Sequence, residues 1–143
     1  MIPLSQKDPK YKDLRFGAKK LSIKDYGCLI VSLCSLADKD PLEIVPLLNK
    51  SNCFDANSKM YPAIAAPVVG LIYKGSKGSP NIVPCIFETD HFRNQGVPQH
   101  FGVWLGKNGL IMDPLTGTIK SNKYRIISYR LFISRGDVNG KPV

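Results

Sequence analysis

Three side chains of this 143-residue sequence have the types needed for nucleophilic catalysis: a cysteine, Cys28, a histidine, His100, and an aspartate, Asp113. A thiolate nucleophile needs a base beside it, and the base works best when a third group fixes its orientation. Cys28 directly follows Gly27, a residue without a side chain that lets another backbone or a substrate come close. It heads Cys28-Leu29-Ile30-Val31-Ser32-Leu33-Cys34-Ser35-Leu36, which is apolar on nearly every face, the pattern of a helix buried on all sides. A thiol in the first turn lies at the positive end of the helix dipole, beside unpaired N–H groups, an environment that favours the thiolate. The competing role for Cys28 is that of a small core residue, since free cysteine is commonly buried.

The base must be one of two histidines, His91 or His100. His100 begins a strand, Phe101-Gly102-Val103-Trp104-Leu105, and Asp113 ends the next one. If the connecting loop is the four residues Gly106 to Gly109, Leu105 faces Leu110 and Gly102 faces Asp113. His100 and Asp113 then lie diagonally on one face, about 7–8 Å apart at Cα. A two-residue Asn108-Gly109 loop keeps the face but slides them apart, and a three-residue loop puts them on opposite faces. His91 stands next to Asp90, and adjacent strand residues point to opposite faces, so Asp90 could orient it only from a loop. Asp113-Pro114 can also be a plain turn after a strand.

The elements that must carry these groups follow from punctuation and periodicity. Residues 3–24 read as an irregular or short-stranded lead-in, and a first helix is expected over about 26–37. Asp40-Pro41-Leu42-Glu43 is a helix start, with Asp40 as cap, proline at the first helical position and a carboxylate where a capping box needs one. That helix should run to about Asn49, bent or shortened at Pro46. A short third helix is expected within 60–69. Strands follow: 82–87 with an edge or bulge at Pro84, the 99–105 and 110–113 hairpin, and 125–134. Helices first and strands second is the α+β order. The chain reads as a single domain, 1–143, with a loose tail over 136–143.

The bulk properties exclude several classes. No apolar run is long enough to span a bilayer, and the N-terminus lacks the apolar core of a signal peptide, so a cytoplasmic or virion-associated protein is expected. The four cysteines, Cys28, Cys34, Cys53 and Cys85, form no C-x-x-C pair and have no zinc-like spacing with the histidines; no metal is expected. The net charge of +9 suits an anionic polymer as partner, whether nucleic acid or cell wall. The basic residues are spread along the chain, however, and no aromatic-basic signature of an RNA-binding sheet is present.

Ser5-Gln6-Lys7-Asp8, Tyr26-Gly27-Cys28, Asp40-Pro41-Leu42-Glu43-Ile44, His100-Phe101-Gly102-Val103-Trp104 and Met112-Asp113-Pro114-Leu115-Thr116-Gly117 together resemble papain-like cysteine peptidases. The branch resembled is the one related to bacteriocin leader-processing peptidases, over residues 4–118. The resemblance implies an α+β, papain-like fold: N-terminal helices, with a buried central helix packed on a C-terminal antiparallel sheet. It implies that Cys28 is the nucleophile, His100 the general base and then acid, and Asp113 the group that orients the imidazole. Gln6 would donate to the oxyanion together with the Cys28 backbone N–H. Gly27, Phe101 and Trp104 would contact substrate, although Phe101 and Trp104 can equally fill the core. Two departures stand out: Gln6 lies further ahead of the cysteine than in many such enzymes, and an aspartate holds the third position.

No cofactor is implied. The substrate would be a peptide, either a peptidoglycan cross-link, as for a phage endolysin, or a precursor protein. The alternatives are a catalytically inert scaffold acting as a structural or interaction protein, for instance of a virus particle, and a nucleic-acid binder.

Overall fold

The N-terminal half is helical, and its first two helices meet at the residue before Cys28. The structure is a computed structural model that describes residues 1–136, so the tail expected over 136–143 lies, but for Gly136, outside the described residues. Helix α1 (Ile23–Tyr26) is capped by Ser22, whose hydroxyl accepts the Asp25 N–H at 3.2 Å. It stops at Gly27, and α2 (Cys28–Leu36) starts there, so the single helix expected over 26–37 is two. A Cβ at Gly27 would lie 2.6 Å from the Ile23 carbonyl oxygen and 2.9 Å from its Cγ2. Glycine is needed there because α1 closes against it.

Helix α3 (Pro41–Asn49) begins as expected, with the Asp40 carboxylate accepting the Leu42 N–H at 2.9 Å. Pro46 lacks the N–H that would close on Leu42, yet the helix continues to Asn49. Helix α4 (Pro62–Ala65) tightens into a 3-10 turn, Ala66–Val69, and ends at Gly70 in the left-handed region, φ 81°.

The C-terminal half is a six-stranded sheet with order β3-β8-β4-β5-β6-β7, every pairing antiparallel. Its strands are β3 (Leu71–Lys77), β4 (Cys85–Thr89), β5 (His100–Trp104), β6 (Leu110–Asp113), β7 (Thr118–Ser121) and β8 (Ile126–Ser134). A small ribbon, β1 (Arg15–Phe16) with β2 (Leu21–Ser22), lies in the lead-in. The fold class is therefore α+β. Strand β4 is central rather than an edge, buried at every residue, and it begins only after Pro84. A residue without an N–H cannot serve a strand paired on both sides, so the proline stays outside the ladder.

Helix α2 packs on β5 and β4. Ile30, Val31 and Leu33 from the helix meet Ile86, Phe101 and Phe132 from the sheet in one core. No helix among the described residues is long and apolar enough to cross a membrane.

The hairpin takes the four-residue form. Val103 pairs with Met112 and Trp104 with Ile111, and the Leu105 N–H donates to the Leu110 carbonyl at 3.1 Å. Within the loop the Leu110 N–H closes on Lys107 at 3.0 Å, with Asn108 and Gly109 both left-handed at φ 54° and 66°. These are the conformations an Asn-Gly pair supplies. The register carries Gly102 level with Asp113. Gly102 leaves room for the Phe87 ring: a Cβ there would stand 2.5 Å from Phe87 Cζ and 2.8 Å from the Met112 oxygen. Gly102→Ala is expected to destabilise the protein by about 1–3 kcal/mol, the usual cost of overpacking. Urea unfolding checks this; unchanged stability would mean that Phe87 is not pressed against the strand.

Candidate active site

The site forms where the head of α2 meets the start of β5 and the end of β6. His100 and Asp113, 3% and 0% exposed, are bonded to one another from Nε2 to Oδ1 at 3.0 Å. Cys28, at the head of α2, lies near enough to His100 to act on the charge of the imidazole. Among the described residues no side chain caps the N-terminus of α2. The three residues singled out by type and spacing are thus brought together at one place.

Asp113 has more partners than its sequence context suggests. Oδ1 also accepts the Leu115 N–H at 3.0 Å. Oδ2 accepts the Tyr124 hydroxyl and the Lys120 ammonium, the latter at 3.2 Å. Tyr124 is delivered by an Asn122 turn, in which the asparagine oxygen accepts the Tyr124 N–H at 2.9 Å and its amide donates to the Tyr124 carbonyl at 3.0 Å. Asparagine as turn former was a visible signal; nothing local marked Tyr124 or Lys120 as belonging to the site. Phe92 and Tyr124 stand edge-on to the imidazole, 5.3 and 5.8 Å between ring centroids. They leave His100 little freedom to turn.

The electrostatics follow. Burial works against a charged imidazole, but the hydrogen bond to Asp113, the nearby Cys28 thiol and the charge of Asp113 raise His100 from about 6.5 to about 9. Burial also works against the Asp113 carboxylate, yet the bonds from His100, Tyr124 and Leu115 hold it well below the usual carboxylate range. Tyr124 is pushed up by its own burial and by Asp113. The other three thiols, all buried, are raised by burial: Cys34 and Cys85 to about 12, Cys53 to about 11. All four cysteines are free, and only Cys28 is partly open to solvent.

The remaining expected site residues divide. Gln6 is buried beside the site: its backbone N–H donates to the Pro114 carbonyl at 2.7 Å, and its Nε2 donates to the Lys24 carbonyl at 2.9 Å. The carbonyl fixes which side-chain atom is nitrogen and leaves a second N–H on it, while Oε1 has no partner among the described residues. Gly27 is buried, with the space beside it taken by Ile23 rather than open to a substrate.

Phe101 belongs to the core, and the Arg130 guanidinium lies 4.9 Å from its ring centroid. Arg130 in turn bonds the nearly buried Glu88 at 2.6 Å, and Gln99 reaches the same carboxylate at 3.1 Å. Trp104 sits at the far end of β5 from His100, about 13 Å along the strand, edge-on to Tyr129. Phe101 is thus buried in the core, and Trp104 is partly exposed at the opposite end of the strand from His100. His91 lies in a turn, and its neighbour Asp90 pairs with Arg125 rather than with the imidazole.

A bowl of about 510 Å³ lined by Arg15, Lys20, Asn49 and Phe54 among others lies apart from these residues. Its lining carries no acidic residue. Comparison with protein-family models, with curated proteins and with solved structures finds no match.

A histidine raised in the folded state contributes stability that is complete below its unfolded value near 6.5 and is lost as pH rises through about 9. The imidazole carbon-bound proton signals of His100 should titrate near that upper value, and Asp113→Asn should move the midpoint down. A midpoint near 6.5 in the unaltered protein would contradict the His100–Asp113 pairing. Tyr124→Phe should cost about 1–3 kcal/mol in denaturant unfolding, since it removes a donor from a buried carboxylate oxygen. A loss below a few tenths would mean that Lys120 alone satisfies Oδ2.

Proposed function

We propose that this protein is a papain-like cysteine peptidase that hydrolyses a peptide amide bond by acyl transfer. The observation that carries the reading is the buried His100–Asp113 pair with Cys28 acting on its imidazole from the head of a buried helix packed on an antiparallel sheet. In this mechanism the Cys28 sulfur attacks the amide carbonyl and its proton resides on His100. The remaining Gln6 side-chain N–H and the Cys28 backbone N–H donate to the oxyanion; one such preorganised donor is worth several kcal/mol. His100 then protonates the leaving amine as the tetrahedral intermediate collapses to a thioester. Water, deprotonated by His100, attacks the thioester and releases the acid and the thiol.

Asp113 stays ionised throughout and holds the imidazole in place. The substrate is a peptide of a wall cross-link or of a precursor protein, and the basic surface draws this chain toward anionic polymers. One observation favours the rival reading of an inert papain-like scaffold: the larger surface bowl does not open on Cys28.

Alkylation of each cysteine, followed by peptide mass across pH 5 to 9, separates the two. Cys28 should label selectively and fast at mildly acidic pH, and His100→Ala should abolish that rate advantage. Turnover of any cleaved peptide should fall about 10²–10⁴-fold in the same variant. Slow labelling with an ordinary thiol profile in both proteins would sink the peptidase reading and leave the scaffold.

A further inference from the structure

A second recess, of about 350 Å³, is lined by Asp90, His91, Arg93, Asn94 and Arg125. Two guanidiniums there face one carboxylate. Arg125 bonds Asp90 through both Nε and Nη2, whereas the Arg93 guanidinium reaches it only at 4.0 Å and makes no hydrogen bond among the described residues. Arg93 and Arg125 are 61% and 76% exposed, and Asp90 is 11% exposed. The recess therefore holds one positive charge more than its own acid neutralises, with guanidinium donors facing solvent.

Its walls are fixed by a buried hydroxyl. Thr89 Oγ1 donates to the Arg125 carbonyl at 2.7 Å and accepts the His91 N–H at 3.1 Å. The 3-10 turn Arg93–Gln95 then begins with the Arg93 N–H on the Asp90 carbonyl at 3.0 Å. The recess also adjoins the candidate active site. The His91 ring is 5.0 Å from Tyr124 and 4.9 Å from Phe92, the two rings that flank His100. By way of Phe92 the His91 ring, which lines the recess, lies within about 10 Å of the imidazole, a span that about three residues of extended peptide would cover.

We propose that this recess is a subsite that binds a carboxylate carried by the substrate within about three residues of the scissile bond. The inference rests on the peptidase reading of Cys28 and specifies its substrate as an acidic peptide. Guanidiniums suit the task because they present paired donors to a planar carboxylate. The carboxylate can be an acidic side chain or a free chain end, and the two are told apart by the probes.

The test uses three bromoacetyl tripeptides: Ala-Ala-Glu amide, Ala-Ala-Ala free acid and the neutral Ala-Ala-Gln amide. Cys28 sulfur displaces bromide to form a thioether, the thiol proton passing to His100, and the rate is read by mass. At least one acidic probe should label Cys28 about three- to fivefold faster than the neutral one, the scale of an exposed ion pair. Arg93→Gln should remove that preference and leave the neutral probe's rate unchanged. Lys50→Gln, an equal loss of charge on the exposed end of α3, should preserve it. Equal rates for all three probes, or equal loss in Lys50→Gln, would overturn the subsite while leaving an activated Cys28 intact. If no probe labels Cys28 faster than free cysteine, the peptidase reading falls and the subsite with it.

Discussion

The buried carboxylate of Asp113 is the constraint around which the C-terminal half is arranged. An ionised group fully removed from water costs several kcal/mol unless donors surround it. Here they come from separate pieces of chain: His100 at the start of β5, the Leu115 N–H in the turn after β6, Lys120 on β7 and Tyr124 ahead of β8. Gln6 closes the set from the N-terminus by donating its backbone N–H to Pro114. The groups that satisfy one anion thereby position the imidazole, and the stability of this edge of the sheet and the geometry of the site cannot be altered independently.

The opposite side of the imidazole is governed by apolar packing. Helix α2 is held by a core that includes Ile30, Val31, Leu33 and Phe101, so the position of Cys28 is inherited from a rigid body rather than from a loop. The same burial raises the thiols of Cys34, Cys53 and Cys85 and makes them poor nucleophiles. A second buried charge, Glu88, is answered in the same way by Arg130, Gln99 and Ser128, which anchors the residue just before His100. Its own burial would raise the Glu88 carboxyl, and those bonds outweigh it and hold it below the ordinary value.

Much of this was legible locally. The Asp40 cap, the proline after it and the end of α3 follow from short-range rules about orphan N–H groups. The hairpin arithmetic put His100 and Asp113 on one face because the side-chain period of a strand is two and Asn108-Gly109 favours left-handed backbone. Other features were invisible. Strand β3 contains Lys74, Gly75 and Lys77 and shows little alternation, with a register shift between Tyr73 and Gly75. Strand β7 is exposed at every residue and carries no burial pattern at all. Phe101 and Trp104 were candidates for a substrate groove because an aromatic residue in a strand has the same composition whether it lines a cleft or fills a core.

By itself the sequence determined the α+β order, the helix that carries Cys28, the face shared by His100 and Asp113, and the excess of positive charge. These depend on neighbours a few residues apart, whose relation is set by backbone sterics and by helix and strand periods. Only the tertiary structure decided that Tyr124 and Lys120 complete the Asp113 cage, that Gly102 yields its place to Phe87, and that Arg93 and Arg125 meet at Asp90. Each of those contacts joins segments that come together only when the sheet closes, and no local propensity encodes which strand will lie beside which.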